Sequence, residues 1–456
     1  MGFYIRDRRT THRSMNSGIS QIRRAVMTLA LPVTVSSLLQ RAEGILDIFL
    51  VGGLGASSIA AVGIGQLLAF FLLPVGAGLS VGATVVIAQL WGARRLGDGR
   101  EAAVHVLGLA ILASLILMGL GLAFAPSVMQ VLGASPEVIA LAVPYVEIIF
   151  LVIPFTMLIQ ILSGILHGTG DTRTPMYCMI GVNILHVLLA YPLIYGRWGF
   201  PNLGVSGAAV AVGIAESAGV VFLLIRCRPL LTWPRRLRGD LLRAGWDVGA
   251  PVFGERMVQQ IGVLAYSKLV LLYGTAAYAA HQVGLAIEAF SFLPGYGFAI
   301  AAATMVGQSI GAGKYTRAKL ENWEANRLAA IVMAAMGVIF FFFPYALLRA
   351  FTDDPTVIDL GTLYLKIVAL LQIPLAVTMV LAGSLRGAGD TRYIMVATLV
   401  GMWGLRLPIA GIGALWLHLD LIFIWGAMAA DWLVRMGLLV WRYRSERWRA
   451  IQVIAR

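Results

Sequence analysis

Long apolar segments recur along the whole chain, and they constrain its fold more than any other feature. The hydrocarbon core of a bilayer is about 30 Å thick, so a helix needs about 20 apolar residues to cross it. Backbone groups in lipid must be hydrogen-bonded internally, and these segments are too long and uniformly apolar for alternating barrel strands. With 59% hydrophobic and 12% charged residues, the sequence predicts an all-α polytopic membrane protein.

We predict twelve transmembrane helices from these segments. They are placed at residues 25–50, 58–83, 102–124, 138–165, 176–195, 205–225, 245–272, 276–300, 328–348, 360–384, 394–415 and 420–440. The corresponding domains are an N-terminal tail (1–24), a six-helix lobe (25–225), a basic linker (226–243), a second six-helix lobe (244–441) and a C-terminal tail (442–456).

The distribution of Lys and Arg predicts how the chain is oriented. Both tails and every second loop carry most of these residues, whereas the alternate loops hold only Arg197 and Arg349. Because basic loops stay in the cytoplasm, we expect a multi-pass inner-membrane protein with both termini cytoplasmic. The net charge of +13 then reflects topology and contact with membrane lipids, and we expect no nucleic-acid partner.

The two halves of the chain are related by an internal repeat. An offset of 219 residues, the separation of Pro32 from Pro251, aligns the halves without gaps from the first helix through the fifth. It also pairs the segment GTGDTR at 168–173 with GAGDTR at 387–392. Each half has an even number of helices, so the repeat is parallel. Such repeats form transporters that handle substrate between the halves, which predicts two lobes around a central cavity.

The paired GTGDTR and GAGDTR segments are interpreted as structural loops. Glycine permits a left-handed turn, and an Asp can cap the following helix or pair with an Arg. The residues assigned to this structural role are Asp171, Arg173, Asp390 and Arg392. A phosphate-binding role is disfavoured because the loops lack the spacing and the following Lys of a P-loop.

One face of the first helix is polar. Ser36, Gln40, Glu43 and Asp47 are spaced at i, i+4, i+7 and i+11, which places them on the same side of a helix. A charge in the middle of a bilayer costs about 2.5–3.5 kcal/mol, so such residues are functional candidates by default. We predict that this face lines a cavity.

The seventh helix repeats the spacing with Glu255, Gln259, Gly262 and Tyr266. Gln259 and Tyr266 are therefore also predicted to line the cavity. For each carboxylate on these two helices the alternative is a buried ion pair. The basic residues considered as partners are Arg41, Arg256 and Lys268.

Two histidines lie within predicted helices, His186 and His281. Either could relay a proton, but a lone helical His more often hydrogen-bonds a neighbour, and we favour that interpretation while placing His186 among the cavity residues. Cys178 and Cys227 have no spacing typical of a disulfide framework or a metal site. We expect no cofactor and no metal centre.

These segments together resemble the multidrug and toxic compound extrusion family of secondary transporters over nearly the whole chain. The resemblance rests on the paired G-x-G-D-T-R loops and on the Gln-x-x-Gly-Ala segments at 89–93 and 308–312. It also rests on Asp47-x-x-x-Val51-Gly52, Ala280-His281-Gln282 and Arg406-x-Pro408. It implies two six-helix lobes enclosing a cavity, and export of cationic or amphipathic small molecules in exchange for protons or sodium ions.

The resemblance also implies the coupling residues. Asp47 matches the first-helix Asp that the family uses in cation coupling, and Asn183 matches an Asn on the fifth helix, but the usual Asp on that helix is replaced by Ala190. Sodium needs oxygen ligands, so losing a carboxylate weakens a sodium site while leaving proton binding intact. The expected coupling ion is H⁺ in preference to Na⁺.

We therefore expect a monomeric exporter that works by alternating access, with Asp47, Glu255 and Asn183 as ion-coupling residues. A flippase for lipid-linked precursors is the alternative, although it would need a larger and strongly cationic cavity. A membrane enzyme would need a catalytic constellation such as H-E-x-x-H or a nucleophile elbow. The sequence has no H-E-x-x-H, and its two G-x-S-x-G matches, at 78–82 and 307–311, lie within or next to predicted transmembrane spans and not at the strand-to-helix turn that an elbow requires.

Overall fold

The computed structural model describes residues 7–131, 136–233 and 236–454, and within these ranges the ordered elements are helical. The α-helices are α1 (Asp7–Gly52), α2 (Ala56–Gly92), α3 (Leu96–Val131), α4 (Pro136–Thr169), α5 (Arg173–Tyr195), α6 (Val205–Cys227), α7 (Gly239–Leu271), α8 (Thr275–Gly311), α9 (Tyr315–Phe342), α10 (Pro344–Arg349), α11 (Pro355–Gly387), α12 (Thr391–Leu399), α13 (Leu407–Leu415) and α14 (Leu421–Arg444). A π-helix, Val400–Arg406, joins α12 to α13, and short 3₁₀ helices lie at Arg228–Leu230 and Arg447–Ala450.

Eleven of the described helical segments are long and apolar enough to cross a membrane. The remaining long helix is α7, which has 33 residues and contains several charged side chains. It occupies the same place in the second repeat as α1 does in the first. The prediction of an all-α, twelve-helix membrane protein with two lobes is thereby confirmed, and the eleventh predicted helix is the continuous run of α12, the π-helix and α13.

The helices form two compact units whose limits differ from the predicted lobes. One unit contains the described residues of 35–253, and the other contains those up to 34 and from 254 onward. The lobes were predicted at 25–225 and 244–441. The difference arises at the beginnings of α1 and α7, because each helix starts in one unit and continues in the other.

The beginnings of α1 and α7 are each assigned to a unit by their close contacts with other helices. At the start of α1, Arg23 Nε lies 2.7 Å from Glu324 Oε2 on α9. At the start of α7, the backbone packs against α2, where a Cβ atom added to Gly78 or Gly82 would lie only 2.8 or 2.6 Å from a carbonyl oxygen of α7. Contacts of this kind depend on small residues and local ion pairs, which hydropathy does not detect.

Two glycine pairs set the spacing of helices within each unit. Gly164 and Gly168 of α4 lie against α2, and Gly383 and Gly387, one repeat later in α11, lie against α8. A Cβ added to Gly383 would overlap the carbonyl oxygen of Ala299. Spacing of small residues at i and i+4 lets membrane helices approach at the backbone. The repeat therefore preserves helix packing as well as loop sequence.

The GTGDTR loop forms a capped turn. Gly170 has a φ of 95°, in the left-handed region that glycine adopts without strain. Asp171 Oδ1 accepts hydrogen bonds from the backbone nitrogens of Arg173 and Thr174 at 3.1 and 3.0 Å, so it caps the first turn of α5. The side chain of Arg173 is exposed.

The GAGDTR loop uses its Asp differently. Gly389 has a φ of 87°, but Asp390 Oδ2 accepts a hydrogen bond from Arg442 Nε at 2.6 Å. Arg392 is exposed. This loop is therefore tied to the end of α14, which is the Asp–Arg pairing expected of such a loop.

The segment predicted as the linker, 226–243, is partly ordered into helix. It includes Pro234 and Arg235, which lie outside the described residues. The Arg238 guanidinium donates to Asp98 at 2.5 Å and to Asp240 at 2.7 Å, and the hydrogen bonds from Arg238 to Asp240 and Asp98 raise its pKa above the usual value. These hydrogen bonds hold the end of the linker, just before α7 begins, against α3.

Candidate functional site

A cavity of about 200 Å³ lies within the unit formed by residues 35–253. Helix α1 contributes Gln40, Glu43 and Asp47 to its wall. Three of the four residues on the predicted polar face of α1 therefore reach a cavity, while Ser36 is half-buried and lies outside that wall. Other polar residues on the wall come from α2 and α4, namely Gln66, Tyr145 and Thr156.

The most buried ionisable pair of this site joins α1 to α5. Asp47 Oδ1 lies 3.0 Å from His186 Nε2, and the two residues are 6% and 0% exposed. A carboxylate buried to this degree needs a partner, because an isolated charge in an apolar environment is very costly. His186 faces Asp47 and does not belong to the cavity wall, in contrast to its expected place among the cavity residues.

Asn183 lies on the same helix, three residues before His186. It is buried, and its Nδ2 donates to the carbonyl oxygen of Met179 at 3.0 Å, one turn earlier in α5. The amide nitrogen is thus held by its own helix. Ala190, which stands where the family has a second Asp, is fully buried. Helix α5 therefore brings the His186 imidazole to Asp47.

Glu43 is the second carboxylate on the cavity wall. Its Oε1 is shielded from solvent and has no hydrogen-bond partner among the described residues. The neighbouring backbone is occupied, since Gln66 Nε2 donates to the carbonyl oxygen of Gly44 at 2.8 Å. Glu43 thus leaves a hydrogen-bond acceptor available at the cavity wall.

A third carboxylate near the cavity, Glu216, was missed by the sequence analysis. It lies on α6, is 8% exposed, and its Oε2 accepts a hydrogen bond from Thr156 Oγ1 at 2.5 Å. Thr156 is itself on the cavity wall. Its position could have identified it from the sequence, because Glu216 falls in the middle of a predicted transmembrane span and a charge in the middle of a bilayer is a functional candidate.

The polar face of α7, in the other unit, is occupied by protein partners. Arg386 Nη2 donates to both carboxylate oxygens of Glu255 at 2.7 Å. Gln259 Oε1 accepts from Arg435 Nη1 at 2.8 Å, and the Tyr266 hydroxyl donates to a carbonyl oxygen of α14 at 2.7 Å. The ion-pair alternative thus describes Glu255, although its partner is Arg386 and not one of the three residues considered from sequence.

The unit that contains α7 also holds a buried charge network. Asp431 is fully buried between two guanidinium groups, with Arg406 Nη2 at 2.7 Å and Arg435 Nη2 at 2.8 Å. Arg406 ends the π-helix, a distortion that often marks functional segments of helices. Arg435 lies 219 residues after Glu216, so α14 carries a positive charge at the position one repeat length from the acidic residue of α6.

Comparisons with known proteins agree with this architecture. The family model MatE matches residues 32–192 and 251–412, once in each repeat. The chain is 32% identical over 451 residues to a probable multidrug resistance protein NorM of Thermotoga maritima, covering 96% of each chain. It is 25% identical to the uncharacterized transporter YisQ of Bacillus subtilis, covering 93% of this chain and 94% of that one.

A solved structure has the same fold. It is described as the outward-facing conformation of a multidrug resistance MATE family transporter of the MOP superfamily. The TM-score is 0.86 at 20% identity, and the match covers 93% of this chain and 96% of the other.

Proposed function

This chain belongs to the MatE family, the multidrug and toxic compound extrusion transporters, and we propose that it exports cationic or amphipathic organic compounds by proton-coupled antiport. The protein is a multi-pass membrane protein. We place it in the inner membrane with both termini in the cytoplasm, working as a monomer in contact with lipids by alternating access.

The observation that carries this proposal is the Asp47–His186 pair beside the cavity. Asp47 Oδ1 lies 3.0 Å from His186 Nε2, and Asp47 also forms part of the cavity wall. A carboxylate and an imidazole at this distance can hold one proton or two, and His changes its charge near physiological pH. Proton uptake at this pair therefore alters the charge that the cavity presents to a substrate.

The chemistry of the cavity favours cations as substrates. Its wall combines Glu43 and Asp47 with amide, hydroxyl and apolar groups. A flippase for a pyrophosphate-linked lipid would need the opposite polarity. When a proton from outside neutralises the site, a bound cation loses its counter-charge and leaves. Only net charge that moves inward draws on the membrane potential, at about 2.3 kcal/mol per elementary charge per 100 mV, so exchange of one proton for one monovalent cation is driven by the pH gradient alone.

The surroundings of Asp47 support a proton in preference to sodium as the coupling ion. A hard cation requires several oxygen ligands. Here an imidazole nitrogen faces Asp47, the nitrogen of Asn183 is held by its helix, and Ala190 supplies no side-chain oxygen. We keep Asn183 as a coupling residue through its amide oxygen. Because Glu255 is engaged by Arg386, we assign coupling to α1 and α5 and a positioning role to Glu255.

Transport by purified protein in proteoliposomes tests the proposal. Addition of a fluorescent cation should release protons from the wild type, and export should continue when potassium replaces sodium. Asp47→Asn should abolish proton-driven export. A matched control is Ser217→Ala, which removes a hydroxyl that bonds only within α6 and should leave export unchanged. Full coupled transport by Asp47→Asn, or obligatory dependence on sodium, would reject the assignment.

A further inference from the structure

Glu216 has no part in the coupling assigned to Asp47, yet it is the acidic residue of α6 and lies beside the same cavity. We propose that Glu216 is a second proton acceptor, reached from the cavity through the hydroxyl of Thr156, which adds one proton to those exchanged for each substrate. The inference rests on the proposed function, since it concerns the stoichiometry of that transport.

The geometry of Thr156 allows a proton to pass. Its Oγ1 lies 2.5 Å from Glu216 Oε2 and 3.5 Å from the carbonyl oxygen of Val152. A hydroxyl donates one hydrogen bond and accepts two. While Glu216 is ionised, the hydroxyl donates to the carboxylate. Once Glu216 is protonated, its O–H can donate to Oγ1, and the hydroxyl can turn toward Val152.

The transfer is balanced in protons and involves no change of oxidation state. A proton from the cavity bonds to Thr156 Oγ1 as the hydroxyl proton moves to Glu216 Oε2. One O–H bond therefore forms and one breaks at the threonine in the same event, one O–H bond forms at the carboxyl, and no alkoxide is left. Release is the reverse sequence. Thr156 is therefore unchanged after each transfer, and Glu216 stores the proton.

Glu216 also lacks a fixed counter-charge. It is 8% exposed, and no described Lys or Arg forms an ion pair with it. The titratable groups that act on it electrostatically are Glu43 and Asp47 of α1, and it acts in turn on Cys178 of α5. Helix α4 presents the neutral Thr156. Burying an ionised carboxylate without a neighbouring cation costs free energy, and this cost favours uptake of a proton by Glu216.

The second repeat shows that this pair is not part of the common scaffold. One repeat length from Glu216 stands Arg435, which is bound to Asp431, and one repeat length from Thr156 stands the buried Leu375. Both members of the pair are thus replaced at equivalent positions. The Glu216–Thr156 pair is therefore a contact of the first six helices alone among the positions compared.

Infrared difference spectroscopy of the full-length protein tests the proton acceptor directly. Lowering the pH should produce a C=O stretching band from the protonated carboxyl of Glu216. Glu216→Gln should remove that band, whereas Asp47→Asn and the control Ser217→Ala should retain it. Thr156→Val keeps the side-chain shape but removes the hydroxyl, and it should shift the band and slow its appearance. An unchanged carboxyl spectrum in Glu216→Gln would overturn the inference.

The proton count gives an independent measure. Reversal potentials of ethidium transport in proteoliposomes yield the number of protons exchanged per ethidium. Glu216→Gln should lower this number by one while export continues, and Ser217→Ala should leave it unchanged. An equal number in Glu216→Gln and wild type would refute the role of Glu216. Absence of proton coupling in the wild type would instead refute the proposed function, and the infrared band distinguishes the two failures.

Discussion

The Asp47–His186 pair gives the sharpest quantitative prediction. Replacing His186 with Leu introduces an apolar side chain of similar size and removes the nitrogen that faces Asp47 at 3.0 Å. Asp47 is 6% exposed, so water from the cavity replaces only part of the stabilisation that the imidazole provides. Breaking a buried ion pair by removing one partner costs about 3–5 kcal/mol. We expect His186→Leu to lose stability in this range.

A double-mutant cycle separates the pair from general damage. Asp47→Asn alone should cost about 1–3 kcal/mol, because a polar group is left poorly satisfied. In the double variant neither charge remains to be buried. Its loss of unfolding free energy should therefore be smaller, by about 2 kcal/mol, than the sum of the losses of the two single variants.

Unfolding of the purified protein in mixed micelles measures all four species of this cycle. Ser217→Ala should stay within about 0.5 kcal/mol of the wild type. Costs that add within about 0.5 kcal/mol would show that the two residues do not interact, and would refute the reasoning.

Three further substitutions follow from the packing and loops. Gly383→Ala should destabilise the protein by about 1–3 kcal/mol in the same assay, because the added Cβ would overlap a backbone oxygen of α8. The control is Gly181→Ala, which should not destabilise the protein because a Cβ added there meets nothing within 4 Å. Asp171→Ala should cost about 0.5–2 kcal/mol through loss of the α5 cap, and no measurable change would contradict that role. Arg386→Ala should cost about 3–5 kcal/mol by leaving Glu255 unpaired, and adding Glu255→Gln should restore part of this loss.

Much of the site on α1 could be predicted because it depends on local periodicity. Residues at i, i+4, i+7 and i+11 share a helix face wherever the helix lies, and Gln40, Glu43 and Asp47 do meet at one cavity. The same argument applied to α7 identified a polar face correctly but not its partners. Glu255 pairs with Arg386, which is 131 residues away, and no local pattern indicates that contact.

The membrane helices, the repeat and the capped turns follow from hydropathy, residue spacing and the conformational preferences of glycine and aspartate, so they could be predicted from the sequence alone. The pairing of the buried charges became visible only in the folded protein. It showed that α5 brings His186 to Asp47 and that α4 brings Thr156 to Glu216, whereas α11 and α14 neutralise the polar face of α7. Pairing of buried charges is a long-range property, because it depends on helices that approach one another at small residues far apart in the chain.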